Sequence, residues 1–223
     1  MRPPSPRLIG AIWLLYFVTS IAGGLLYQGS LVPGDTAAAF SNLVGHPTQY
    51  RAGVQLGLFA HALYVVVTAL LCGLFARVNL GLALTAAFFS LTGCIVEIFA
   101  TILQSAPVSF IRDSVLGGVF SADQVKAVAL TSLKLWGQSY QMSIPMFALF
   151  ELVLGILVYR SRLVPRVFGV LLMAAGLIWA LYFWPPLLTA VRGVALPFAG
   201  LAEIAFPVWL LVKGANLSDL RDR

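Results

Sequence analysis

Charge is scarce in this chain. Lys, Arg, Asp and Glu make up 10% of its 223 residues, where a soluble domain of ordinary composition carries roughly a quarter. Hydrophobic residues account for 60% and the mean hydropathy is +0.94. These values leave almost no room for a soluble module and read as one integral membrane domain over residues 1–223. Cysteine is scarcer still. Cys72 and Cys94 are the only two, both inside apolar segments and far from any CxxC spacing. Metal, haem-attachment and thiol-redox readings therefore have no support, and no metal or other cofactor is expected.

The formal net charge of +6 does not call for nucleic acid. The basic residues sit at the ends of apolar segments, where a membrane explains them, so the bilayer is the expected partner. The first apolar segment follows a basic Met1–Arg7 leader and could mimic a signal peptide. At about twenty residues, without a small-x-small cleavage site, it reads as a retained anchor.

Six spans follow from length and hydropathy: Leu8–Tyr27, Ala52–Ala76, Val78–Gln104, Gly137–Tyr159, Val167–Leu188 and Val194–Val212. The fold class is thus all-α, a polytopic bundle of six transmembrane helices. Connections at Arg77–Asn79 and Arg160–Arg166 are short and predict antiparallel hairpins. The second connection holds three arginines and no acid, and placing it in the cytoplasm puts both termini there. Nine basic residues then lie inside (Arg2, Arg7, Arg77, Arg160, Arg162, Arg166, Lys213, Arg221, Arg223) and five outside (Arg51, Arg112, Lys126, Lys134, Arg192). The expected location is a cell membrane, crossed several times. Two outer loops carry helix signals: Asp35 can cap a helix over about residues 35–44, ended by Gly45 and Pro47, and Ser121-Ala-Asp-Gln124 is a capping-box pattern opening a helix over about 121–136. Lid and simple connector are both open for these loops.

Several stretches carry a family resemblance. The Pro33-Gly34-Asp35 turn, the run from Tyr159 through Pro165 to Gly169, and the closing Glu203…Trp209-Leu-Leu-Val-Lys213-Gly resemble the bacterial domain-of-unknown-function 4386 family, over nearly the whole chain and including Glu97. The resemblance implies six helices and cytoplasmic termini, and no established activity. Glu151 lies outside the pattern associated with that family.

The chemistry-bearing residues are few. Ser90, Cys94, Glu97, Thr101 and Gln104 follow at steps of four, three, four and three, so they share one helical face. A carboxyl in an apolar span is costly and should face protein or water. Polar glue between helices is the alternative reading. A hairpin centred near Asn79 brings residue 61 opposite residue 97, in the outer half of the membrane, and so pairs His61 with Glu97. Glu151 and Glu203 lie deeper, about 13 Å and 15 Å above the inner boundary at 1.5 Å per residue. Pro207 cannot donate to the carbonyl of Glu203, nor Pro145 to that of Gln141. Neutral, hydrogen-bonding carboxylic acids are the expected state.

A buried acid among aromatic faces suits protonation of an alkene or epoxide, with the carbocation held by cation–π attraction. The candidate acids are Glu203, Glu97 and Glu151, with His61 as reprotonating group. Tyr64, Phe99, Gln104, Gln141, Phe147, Trp179 and Tyr182 are the candidate substrate contacts. This reading is a membrane-embedded, terpene-cyclase-like enzyme that cyclises or isomerises a lipophilic, isoprenoid-like small molecule. Two others stay open: a proton-coupled transporter using the same acids, and a non-catalytic scaffold. Oligomeric state is not legible.

Overall fold

The structure, a computed structural model, describes residues 4–28, 36–112 and 119–216. Among them every regular element is helical: α1 (Pro6–Gln28), α2 (Thr36–Gly45), α3 (Pro47–Phe75), α4 (Leu80–Arg112), α5 (Ala122–Ser161), α6 (Arg166–Trp179) and α7 (Pro185–Val212), with a 3-10 turn at Ala180–Phe183. Six stretches are long and apolar enough to cross a membrane: Pro6–Tyr27, Pro47–Phe75, Leu80–Phe110, Ala122–Ser161, Arg166–Phe183 and Pro185–Val212. The chain is an all-helical, multi-pass membrane protein.

Local chemistry sets the helix ends. The short helix α2 stops at Gly45, and Pro47 opens α3, where its missing N–H costs nothing. The Asp35 cap expected for α2 lies outside the described residues. Asn79 caps α4: its Oδ1 accepts the Leu82 N–H at 2.9 Å. The expected capping box at α5 forms in full. Gln124 N–H donates to Ser121 Oγ at 3.3 Å, and Ser121 N–H to Gln124 Oε1 at 2.8 Å.

Three boundaries differ from those read in the sequence. The helix over about 121–136 and the span over 137–159 are one 40-residue helix, because Gly137 does not interrupt α5. A single interior glycine costs only about 1 kcal/mol, too little to break a helix with formers on both sides. Helix α4 runs past Gln104 through Pro107. The turn between the last two spans falls at Phe183–Pro185 instead of after Leu188, because Pro185 and Pro186 occupy the first turn of α7. Arg192 is therefore inside a helix.

Contacts divide the chain into two compact units. One comprises Met1–Leu15, Leu63–Ile95 and Gln141–Arg223, the other Tyr16–Ala62 and Val96–Tyr140. In the first unit backbones approach closely at glycine. A β-carbon on Gly169 would stand 2.7 Å from Tyr159 N and 2.8 Å from Gly155 O, so α5 and α6 pack backbone to backbone. One on Gly10 would stand 2.6 Å from Pro207 O, which fixes α1 against α7. Small residues at such crossings are what membrane helices use where apolar burial offers no drive. In the second unit Gly23 and Gly53 meet in the same way, and Leu43, Tyr50, Val54 and Val108 form a core with Tyr27 and Leu133 packed on it.

Candidate functional site

Helix α4 inverts the usual amphipathic arrangement. Ser90, Cys94, Glu97 and Gln104 are buried, whereas Phe88, Ile95, Phe99 and Ile102 are exposed. The fifth polar residue, Thr101, is part-buried and turns its hydroxyl to Glu97 O at 3.0 Å. The polar stripe faces protein, as the cost of polarity in hydrocarbon requires.

Two acid-bearing clusters result, one in each unit. In the second unit His61 Nε2 lies 3.7 Å from Glu97 Oε2, with Glu97 buried and His61 partly so. The Tyr27 hydroxyl is within electrostatic range of Glu97, and its ring meets Trp136 edge to face, centroids 5.5 Å apart. Tyr50 donates its O–H to Gln104 O at 2.6 Å. Gln104 Nε2 is buried and has no acceptor among the described residues. The α3–α4 turn explains the His61–Glu97 pair: residue pairs whose numbers sum to 158 face each other about Asn79. His61 with Glu97 obeys that rule, and so does Thr68 with Ser90 in the first unit, hydroxyl to hydroxyl at 2.6 Å.

In the first unit the side chains of Glu151 of α5 and Glu203 of α7 face each other within interaction range. Two carboxyl groups can hydrogen-bond at such range only by sharing a proton, since an ionised carboxylate has no donor. Glu151 is 1% exposed, and its Oε2 is buried without a donor among the described residues. Glu203 is part-exposed, between the exposed Leu201 and Ile204.

Aromatic rings run through the same unit. Trp13 meets Tyr64 (6.1 Å) and Phe206 (5.8 Å) edge to face, and Tyr64 meets Phe147 (5.4 Å) and Phe150 (6.1 Å). Phe150 adjoins Glu151 in sequence, and Phe206 is three residues, close to one helical turn, from Glu203. Gly93 makes room for Phe147: a β-carbon there would stand 2.7 Å from the ring.

Of the candidate contacts, Tyr64 and Phe147 touch, and Trp179 and Tyr182 form a tilted pair at 6.2 Å. Trp179 packs on the Ala175, Ala199 and Ala202 cluster, which adjoins Glu203 in sequence. Phe99 is 69% exposed and Gln141 is exposed, so neither is gathered to an acid. Pro145 and Pro207 both lie inside continuous helices.

Trp13, Tyr27 and Tyr50 are not among the candidates read from the sequence. The Trp13 side chain is 0% exposed, and its Nε1–H has no acceptor among the described residues. The signal was depth. Six residues beyond Arg7, at 1.5 Å each, put Trp13 about 9 Å into its span, deeper than an interface belt. Among the described residues no three His, Cys, Asp or Glu side chains converge as metal ligands would. Both cysteines are free thiols.

The sequence model of a family described as "Domain of unknown function (DUF4386)" matches residues 8–214. No curated protein and no solved structure matches the chain.

Proposed function

The chain belongs to the DUF4386 family, whose description assigns no activity, and we propose that it is a bacterial inner-membrane enzyme that protonates a lipophilic, isoprenoid-like substrate and isomerises or cyclises it. The observation that carries this reading is the facing Glu151–Glu203 pair in the unit that also holds the Trp13–Tyr64–Phe147 rings. A carboxyl pair that shares a proton is a proton donor set in an apolar medium.

The chemistry balances without a cofactor. The acid adds its proton to a carbon–carbon double bond and leaves a carboxylate and a tertiary carbocation. Aromatic faces stabilise the cation while it rearranges. Loss of a different proton from the cation to the carboxylate restores the acid and releases an isomer of equal mass. Access is from the lipid side, where Glu203 is part-exposed. The described interior beside Phe150 has a void of only about 10 Å³, room for one water at most.

A second reading has its own observation. His61–Glu97 is a further pair of titratable groups outside the carboxyl dyad, and a proton-coupled carrier would use both. In either case the proposed topology has cytoplasmic termini, a reading supported by the nine-to-five division of basic residues in the sequence.

Untargeted lipid analysis of cells expressing the chain tests the enzyme. Wild type should produce a lipid that shifts in retention without changing mass, and Glu203→Gln should abolish it while folding normally in detergent. Identical lipid profiles for wild type, Glu203→Gln and Glu151→Gln would end the acid-catalyst reading. A proton flux into proteoliposomes that Glu97→Gln removes would favour the carrier.

A further inference from the structure

Three span ends meet in a basic cleft that the acid chemistry does not use. The cleft has a volume of about 570 Å³ and is lined by Arg162–Arg166, Trp209 and Lys213–Asn216. That volume lies in the range of roughly 300–1,000 Å³ typical of small-molecule clefts. Its lining residues fall just beyond the spans that end at Ser161 and Val212 and at the start of the one that opens at Arg166. By position they stand at headgroup depth, whichever leaflet that is.

The charge is one-sided. Among the described residues Arg162, Arg166 and Lys213 line the cleft and no acid does. Arg7 stands alongside, its Nε 3.9 Å from where a β-carbon on Gly214 would be. The wall opposite in character is apolar: Leu163 and Val164 are buried, and Trp209 packs at a tilt against Phe168, centroids 5.1 Å apart. The frame is also held rigidly. Asn216 N–H donates to Leu163 O at 2.8 Å, tying the segment after α7 to the α5–α6 loop. The Arg166 guanidinium lies over the Tyr159 ring at 5.4 Å.

One backbone feature singles out Arg162. It is the non-glycine residue with positive φ, +60°, among the described residues. That conformation costs about 1–2 kcal/mol for a residue with a β-carbon, and glycine would adopt it freely. An arginine held there is retained against the backbone's preference, which directs attention to what its side chain binds.

We infer that this cleft binds the phosphate headgroup of an anionic phospholipid, with Arg162, Arg166 and Lys213 on the phosphate and Trp209 against the glycerol and upper acyl chain. Guanidinium and ammonium groups both suit phosphate oxygens. A tryptophan at headgroup level suits the amphipathic border below them. The binding does not rest on the Glu151–Glu203 reading and survives its failure.

The test uses the purified full chain in an uncharged detergent, with phosphatidylglycerol or phosphatidylcholine added. Phosphatidylglycerol should raise the melting temperature saturably and remain bound in native mass spectra, and phosphatidylcholine should do neither. Each cation near an anionic headgroup is worth about fivefold in affinity. Half-saturation should therefore move about fivefold for Arg162→Gly and about 25-fold for Arg162→Gly with Lys213→Gln. Without lipid, Arg162→Gly should melt no lower than wild type, because glycine suits φ +60°; Arg166→Gln supplies the charge test if it does melt lower. Unchanged half-saturation in these variants would overturn the inference, as would equal stabilisation by phosphatidylcholine. Displacement of phosphatidylglycerol by millimolar glycerol 1-phosphate would assign the cleft to a soluble phosphate and overturn the lipid source.

Discussion

Some of the polar side chains buried among the described residues are held in pairs, and pairs fail asymmetrically. Thr68 and Ser90 share a hydrogen bond at 2.6 Å with both residues buried. Thr68→Val removes one partner and strands the Ser90 hydroxyl, which should cost about 1–3 kcal/mol. Adding Ser90→Ala removes the stranded group, so the double variant should recover part of that loss, seen as a positive coupling in thermal melts. Equal, additive losses would mean the two hydroxyls do not interact. The carboxyl pair separates chemistry from packing in the same way. Glu151→Gln keeps a donor and an acceptor for Glu203 and should fold as wild type does, whereas Glu151→Leu strands the Glu203 carboxyl and should lower the melting temperature clearly. His61 facing Glu97 was legible in the sequence because a three-residue turn leaves little freedom of register. Glu151 facing Glu203 was not. These residues lie on α5 and α7, which are not consecutive, and no short turn ties their registers together.

Helix pairs in the first unit rest on close backbone approach, since lipid removes the apolar drive that soluble helices share. Gly169 and Gly155 face each other across α5 and α6, with Gly155 O 2.8 Å from a β-carbon built on Gly169. Gly169→Val would force the two backbones apart and should cost about 1–3 kcal/mol by overpacking. Gly193, whose added β-carbon would meet nothing within 4 Å, should accept alanine without loss. Melting both variants in one detergent checks the contrast, and equal tolerance would deny the crossing its role. Element ends divide along similar lines. The α5 start was readable because Ser121 and Gln124 form a local, reciprocal cap. The fusion through Gly137 and the early start of α7 were not read from hydropathy. A lone glycine is a weak breaker, and a Pro-Pro pair both ends one helix and opens the next.

Across the whole molecule the six candidate spans bear on how many times the chain crosses, and the distribution of charge bears on which way round it would sit. If each of Pro6–Tyr27, Pro47–Phe75, Leu80–Phe110, Ala122–Ser161, Arg166–Phe183 and Pro185–Val212 crosses once, an even number of crossings returns the C-terminus to the side of the N-terminus. The α5–α6 loop, reached after four crossings, shares that side. Its three arginines face no acid in the loop, and the positive-inside preference acts on short loops of this kind. Arg51, Lys126, Lys134 and Arg192 all lie within helices and not in loops, which weakens the outer total as a counter-signal. Single cysteines in a Cys72- and Cys94-free background read the orientation directly. Ser161 is buried and would label poorly on either side, so exposed positions are needed. Ala122 and Asn216 are both exposed, one at the start of α5 and one beyond α7. On intact spheroplasts an impermeant maleimide should label Ala122→Cys and reach Asn216→Cys only after lysis. Labelling of Asn216→Cys before lysis, with Ala122→Cys protected, would invert the topology and move the basic cleft to the outer leaflet. The cleft's phosphate chemistry would stand in that leaflet too, but the positive-inside reading of Arg160, Arg162 and Arg166 would not.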